Sequence, residues 1–467
     1  MWMGGMCIWI GHSFERKANS EKRIAIYHWF FIACYSLFAI RFSLFTHLLS
    51  SAMTNKIASY TLSFVLVTSL FFLWAFVHNL EPILIPHLKK ACQLTDMQSA
   101  LIDSAVYLGY FIMAIPAGIV MKKYGFRRGI IIGLLLYAIG AFLFIPAANS
   151  RMYIFFLGAL FIIASGCTFL ETVANPYVTL LGKPEGATTR LNLSQSFNGL
   201  GAFVAPILGG QFILSGIELS QSEQSAMSVE QLNAYMQSEA NTVRIPYLII
   251  GLVVLLVAIL FIFIRTPEPG VKETGTQEKR SLLHALRHAH LRNGVIAQFF
   301  YVGAQVCVTS FFIRFAKFSS NIPEKDAAFW LSMAMLGFML GRFVGTLLTR
   351  YIAPNRLLFI YSLAAAGLLG VAMVTGSTIA VWAIILVPFF ESIMFPTIFS
   401  LAIQDLKEDT ELGSSLVVMS IVGGAFAPLL MGWISDQSTI KLAYIVPLLC
   451  LLVVAWYGAR GYKVQTA

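Results

Sequence analysis

Apolar runs of about twenty residues recur from Tyr60 to the C-terminus, divided by short polar punctuation, and as helices such runs cross the roughly 30 Å hydrocarbon layer of a bilayer. The pattern predicts an all-α membrane protein with twelve spans in two sets of six. The first set lies near 60–88, 97–121, 128–148, 152–178, 190–214 and 245–265, and the second near 293–316, 326–349, 355–374, 377–401, 412–434 and 439–459. Between them TPEPGVKETGTQEKRSLLHALRHAH mixes Pro, Gly and both signs of charge and cannot be a span. The expected organisation is a six-helix half over 54–265, a cytoplasmic linker over 266–290 and a second half over 291–467. A second polar loop, 216–243, is rich in Ser, Gln and Glu with only short helical patterning. Residues 1–53 fall outside this plan: the apolar stretch Ile24 to Leu49 is interrupted by His28, Arg41 and His47, and Met53-Thr-Asn-Lys has the look of a start. They are read as an N-terminal extension.

Only 12% of residues are charged, where soluble domains carry about a quarter, so a soluble protein is excluded. The net charge of +10 sits in short loops rather than on one stripe, which argues for orientation and against nucleic acid. Lys122, Lys123, Arg127 and Arg128 share one loop, and Lys272, Lys279, Arg280, Arg287 and Arg292 lie in or beside the linker. Both loops fall on one side if spans alternate, and positive loops stay in the cytoplasm, which puts the residue-54 end and the C-terminus there too. The expected location is the plasma membrane of a bacterium, the inner membrane. Six scattered cysteines form no CxxC pair, and neither GxxxxGK[ST] nor HExxH occurs. No metal, cofactor, catalytic group or enzyme activity is expected.

The two sets also resemble each other. FLETVANPYV (169–178) reads against FFESIMFPTI (389–398), which aligns Glu171 with Glu391 and Pro176 with Pro396. VAPILGG (204–210) reads against FAPLLMG (426–432), and LGYF (108–111) against LGFM (336–339). A parallel repeat of six helices places a substrate site between the halves near mid-membrane.

Ionisable residues inside spans cost about 2.5 to 3.5 kcal/mol at the centre and usually face a cavity or a partner. Glu171 lies deep in the fourth span, with Asn175 one turn on and Pro176 breaking the ladder beyond. It is either a protonated acid bonded to a neighbouring helix or, as preferred here, a site residue serving sugar hydroxyls and a proton. Glu81 follows His78, Asn79 and Leu80 and precedes Pro82, where the helix weakens. The plainer alternative is a loop-edge acid in water; the preferred reading makes Glu81 a functional residue of a site at the helix break, with Asn79 a substrate contact. Asn192, Gln195 and Asn198 line one face of the fifth span, as Gln298, Tyr301 and Gln305 do on the seventh. Both stripes can bind hydroxyls or lock helices together. Arg342 and Glu391 are deep charges read as a buried pair or gate, whereas Asp103 and Arg314, near span ends, are explained by snorkelling to the interface. Trp74 and Phe300 can stack on a sugar ring or simply pack.

GIVMKKYGFRRG (118–129) resembles the signature between the second and third spans of major facilitator proteins, with Lys122 where an acid is usual. NLEPILIPHLKK (79–90), YLGYFIMAIPAGIVMKK (107–123), FLETVANPYVTLLG (169–182) and RLNLSQSFNGLGA (190–202) resemble the fucose, glucose and galactose proton symporters. That resemblance implies the major facilitator fold and places sugar binding on Glu171. It places polar contacts on Gln195 and Asn198, and proton uptake on Glu81, although this chain has Glu81-Pro82 where fucose members have Asn-Asp. Glucose and galactose members tend to carry Gln at the place of Glu171, which tilts the cargo towards L-fucose, with glucose, galactose or an amino sugar as alternatives.

The expected activity is import of a monosaccharide by proton symport through alternating access, in a chain that works as a monomer in the lipid bilayer, with the proton as coupling ion. A proton-coupled exporter of small apolar compounds is the competing reading and would need a large apolar pocket. A non-transporting membrane sensor would need an extramembrane domain.

Overall fold

A computed structural model describes residues 56–182, 187–214, 219, 221–264, 285–406 and 409–464. The extension at 1–53 and most of the linker, with Lys272, Lys279 and Arg280, lie outside these residues, as does the side chain of Asn192.

The first six spans begin with α1 (Lys56–His78) and α2 (Glu81–Cys92), which together form one interrupted span. Pro82 occupies the first turn of α2; it has no N–H to extend the ladder of α1, so the helix restarts there. A single turn, α3 (Asp96–Ser99), leads into α4 (Leu101–Tyr124), followed by α5 (Phe126–Ser150), α6 (Tyr153–Leu180) and α7 (Ala187–Phe212). The loop at 216–243 contains α8 (Gln221–Ser225) and α9 (Val229–Asn241) before α10 (Arg244–Phe263). Ser228 and Gln231 close a reciprocal capping box that starts α9.

The second six comprise α11 (Ala289–Ser320), α12 (Glu324–Leu348), α13 (Pro354–Val374), the broken pair α14 (Thr378–Glu391) and α15 (Met394–Ala402), α16 (Thr410–Met419) continuing into α17 (Gly423–Gln437), and α18 (Ile440–Ala443) with α19 (Ile445–Trp456). Among the described residues, 11 helical runs are long and apolar enough to cross a membrane. The twelfth is α7, whose 26 residues reach about 39 Å and whose Ser194, Gln195, Ser196 and Asn198 lower its hydropathy. These are the twelve expected spans in two six-helix halves.

Within the first half the helices approach at backbone distance. A Cβ on Gly166 of α6 would stand 2.5 Å from the Tyr137 nitrogen and 2.6 Å from the Gly133 oxygen of α5. Lipid tails offer no hydrophobic drive for association, so close contact between small residues supplies the packing. The same device joins Gly423 of α17 to the Phe299 carbonyl of α11, and Gly341 of α12 to the Phe389 carbonyl of α14. Arg127 ties α5 to α10 by donating to the carbonyls of Phe261 and Ile262, at 2.9 and 2.6 Å.

Contacts between the halves concentrate at the end opposite Lys122, Lys123, Arg127 and Arg128. Asp96 accepts from Lys89 of α2, from Arg314 of α11 at 2.6 Å and from Ser435 of α17. Asp436 caps α3 by accepting from the N–H groups of Asp96 and Met97, at 2.7 and 2.9 Å. A second group sets Lys90 of α2 at 2.6 Å and Lys317 of α11 at 3.0 Å from Glu324 of α12. Gly432 lets α17 lie against Asp96 and Met97, and Gly210 lets α7 lie against Ala328 of α12. This ion-paired end is closed.

Replacing Gly166 by Val forces α5 and α6 apart and should cost about 1 to 3 kcal/mol, the usual penalty of overpacking. Gly158 on the same helix meets nothing within 4 Å, so Gly158→Ala, which only replaces a flexible helical residue by a good helix former, should hold or slightly raise the midpoint of thermal unfolding in detergent while Gly166→Val lowers it. Equal midpoints for the two variants would contradict the packing described.

Candidate functional site

Three helices of the first half bring the polar residues of the sequence motifs together. Arg190 at the start of α7 donates to the Val178 and Thr179 carbonyls at the end of α6, at 3.1 and 2.6 Å, which seats α7 along α6. Gln195 of α7 then donates to Asn175 of α6 at 3.2 Å, and the Asn175 amide donates to the Glu171 carbonyl at 2.9 Å. Pro176 removes the donor that would meet the Thr172 carbonyl, yet α6 continues to Leu180. Glu171, Asn175, Gln195 and Asn198 are all half-buried. Asn198 stands one turn beyond Gln195 on α7.

The interruption between α1 and α2 supplies the second group. Glu81 is 6% exposed, and its carboxylate lies 3.1 Å from Nδ1 of His78, close enough for an ion pair though not aligned as a hydrogen bond. Nε2 of His78 lies 3.3 Å from the Tyr107 hydroxyl on α4. Glu171 and His78 act on each other electrostatically, so the α1–α2 break and the α6 cluster form one polar region. A cavity of about 10 Å³ lined by His78, Glu81, Tyr110 and Cys167 has the size of a single water. Asn79 turns its amide back on its own helix and donates to the Ala75 carbonyl at 2.8 Å.

The second half contributes α11 and the α14–α15 break. Gln298 is fully buried with neither amide atom hydrogen-bonded, and Gln305, two turns on, is half-buried. Tyr301 donates from its hydroxyl to the Glu391 carbonyl at 3.0 Å. Pro396 leaves the Ser392 carbonyl without its helical donor, and Nε of Arg342 fills that place at 3.4 Å.

The expected buried pair of Arg342 and Glu391 does not form. Arg342 is exposed and lies over the Phe338 ring at 4.9 Å, whereas Glu391 is fully buried with both carboxylate oxygens lacking a hydrogen-bond partner. The break after Glu391 draws Arg342 to a backbone carbonyl instead of to the carboxylate. Snorkelling is also the wrong account of Asp103 and Arg314. Asp103 is fully buried and accepts from Ser310 of α11 at 2.8 Å, and Arg314 is held by Asp96 and Ser99, at 2.6 and 2.9 Å. Both lie where the halves meet rather than at a lipid headgroup. Trp74 is buried against Phe71, with ring centroids 4.3 Å apart, and so packs rather than facing a site.

Sequence reasoning passed over His78, Tyr107 and Tyr110. Asp103, Tyr107 and Tyr110 fall at i, i+4 and i+7 on α4, one face of a helix, and that period was the available signal. Towards the basic loops, a cavity of about 370 Å³ opens between the halves, lined by Phe111, Ile296, Phe299, Phe300, Met419 and Val422 among others.

The chain matches the Major Facilitator Superfamily over residues 66–421. It is 44% identical to the L-fucose-proton symporter of Escherichia coli (strain K12), over 88% of this chain and 94% of that protein. It is 41% identical to a glucose/galactose transporter of Brucella abortus (strain 2308), over 88% of this chain and 96% of that one. The crystal structure of the transporter FucP in the outward conformation superposes with a TM-score of 0.64 at 43% identity, covering 87% of this chain and 100% of that chain. A D-xylose-proton symporter, 13% identical with a TM-score of 0.66 over 87% of this chain and 100% of its own, shares the fold. With the twelve helices and the polar cluster between them, these matches place the chain in the Major Facilitator Superfamily, as a membrane transporter and not an enzyme, in the group of the L-fucose-proton symporter and the glucose/galactose transporters.

Proposed function

We propose that this protein imports a monosaccharide together with a proton across the bacterial inner membrane, with L-fucose the favoured cargo. The observation that carries the reading is the single polar region made by Glu171, Asn175 and Gln195 on one side and His78 and Glu81 on the other. Carboxylate and amide groups bind hydroxyls, and an acid held against a histidine in a membrane is suited to taking up and releasing a proton. A monosaccharide cargo is supported by the relatives, which are named for L-fucose with a proton and for glucose or galactose. Glu171 favours L-fucose among them.

Positive loops at the open end make that end cytoplasmic, so the chain stands closed to the outside and open to the inside. Transport then consists of rocking the halves about the polar region. One positive charge moving inward through 100 mV contributes about 2.3 kcal/mol, which adds to the pH gradient. One chain supplies both halves, so a monomer suffices. Gln298, Gln305, Asn79 and Asn198 complete the substrate contacts, and Arg342, exposed in the inward-open state, belongs to the gate on the cytoplasmic side. A proton-coupled exporter of apolar compounds is the second reading, favoured by the apolar lining of the 370 Å³ cavity.

In lightly buffered, de-energised cells, a pulse of L-fucose should make the medium more alkaline, and D-glucose, D-galactose and N-acetylglucosamine test the alternatives. Silence with all four sugars in cells that carry the protein, joined to extrusion of apolar dyes, would move the assignment to export. Glu81→Gln should abolish accumulation against a gradient while sugar-for-sugar exchange continues; full accumulation in both Glu81→Gln and Glu171→Gln would show that neither acid carries the proton.

Gln195→Ala removes one neutral hydrogen bond and should raise the half-saturation concentration roughly fivefold, about 1 kcal/mol. Glu171→Gln, which alters a charged partner, should raise it by roughly tenfold or more. Uptake of radiolabelled sugar at a series of concentrations measures both, and an unchanged value in Glu171→Gln would remove that residue from the site.

A further inference from the structure

Asp103 lies outside the substrate cluster and has no place in the cycle described so far. It sits on the first turns of α4 with 0% of its surface exposed. One carboxylate oxygen accepts from the Ser310 hydroxyl of α11 at 2.8 Å, and the other has no hydrogen-bond partner. The bond joins the two halves. Beside it, Ser104 donates to the Ala425 carbonyl of α17 at 2.6 Å, and Gly424 of α17 lies against the Tyr107 ring. Asp103 is therefore enclosed only because the halves are closed at this end.

The ionisable groups within electrostatic reach of Asp103 are Glu81 and His78 from the α1–α2 break, Arg314 and Cys307 from α11, Tyr153 from α6 and Tyr107 on its own helix. The two cationic candidates are engaged elsewhere: Arg314 with Asp96 at 2.6 Å, and His78 with Glu81 at 3.1 Å. Glu81 carries the same sign as an ionised Asp103. A charged carboxylate enclosed without a cation is strongly disfavoured, whereas the neutral acid can remain buried on the serine.

We propose that Asp103 is a proton-operated latch on the outer side: neutral, it permits the halves to close over it, and ionised, it holds them apart in contact with external water. The inference rests on the proton-coupled reading and on the orientation given above, and it makes Asp103 a positioning residue that acts on the halves and not on the sugar. It also explains why a second acid accompanies Glu81. Glu81 delivers the proton, and Asp103 ensures that an unprotonated carrier does not seal its outer face.

The test needs no sugar. Ala328, fully buried where α12 meets Gly210 of α7, becomes reachable from outside only when this end opens. Ala328→Cys is treated in intact cells with a membrane-impermeant maleimide, and the chain without that cysteine serves as the blank. A maleimide takes the thiolate, whose fraction itself rises with pH, so the rate at each pH is divided by that of Val229→Cys, a position 79% exposed; with Asp103 present this normalised rate should rise by about tenfold or more between external pH of about 5.5 and about 8.5, as one ionisable group controls opening. Asp103→Asn keeps the size and can still accept from Ser310, so a purely structural role predicts no change; the latch predicts a low, flat rate. Asp103→Glu should restore the slope. Ala100→Cys, also buried, repeats the measurement if Ala328→Cys does not reach the membrane. An unaltered pH slope in Asp103→Asn, or a flat rate with Asp103 intact, would overturn the proposal. Silence in the sugar panel with the Asp103-dependent slope present would defeat the cargo reading alone, and sugar-driven alkalinisation with flat labelling would defeat the latch alone.

Discussion

The carboxylate of Asp96 gathers Lys89, Arg314 and Ser435 from three different helices, and the arrangement of the two halves follows from that convergence. Asp96 is 8% exposed, and so nearly enclosed a charge is stable only when paired and hydrogen-bonded. Lys89 belongs to the first half, while Arg314 and Ser435 belong to the second. Satisfying Asp96 therefore brings the halves together at one end and leaves the opposite end open. The Lys90, Lys317 and Glu324 group repeats the solution on the neighbouring helices. Asp103 lies one layer deeper and lacks a cation, so its burial depends on the closure that Asp96 secures.

Inside each half the cohesion has another origin. Glycines at 133, 140 and 166 let α5 and α6 touch through their backbones, a contact that has no charged alternative and no reason to open. The contrast divides the molecule mechanically: dispersion holds each half as a body, and ion pairs hold the bodies to each other. Backbone groups released at the α14–α15 break are met by side chains, with Tyr301 taking the Glu391 carbonyl and Arg342 the Ser392 carbonyl. Irregular backbone is tolerated at membrane depth when such partners exist.

Most of the spans were legible in the sequence because a bilayer imposes its thickness on every apolar run. α7 was counted among those runs, at 190–214, although its polar stripe lowers its hydropathy, and the spacing that singled out Glu171, Asn175 and Gln195 led to residues that the fold does bring together. Arg342 and Glu391 failed as a pair because depth in a span says nothing of azimuth, and the break after Glu391 decided which acceptor Arg342 would meet. Asp103 and Arg314 were misplaced for a related reason. Hydropathy treats a charge near the end of a span as bordering water, but the turn at Asp96–Ser99 folds inward, and that end is covered by α11 and α17. The expectations for residues 1–53 and for most of the linker concern residues outside those described.

The same ion pairs make the closure between the halves sensitive to the medium. Lys89 and Lys317 keep about a third of their side-chain surface exposed, 35% and 38%, so dissolved ions reach the rim of both groups, and the Debye length shortens from about 10 Å at 0.1 M salt to about 3 Å at 1 M. The glycine contacts within the halves feel no such screening. A brine would loosen the closure at this end and leave each half intact, whereas a dilute environment would tighten it, so the tightness of the closure is tied to the salt of the medium that bathes it.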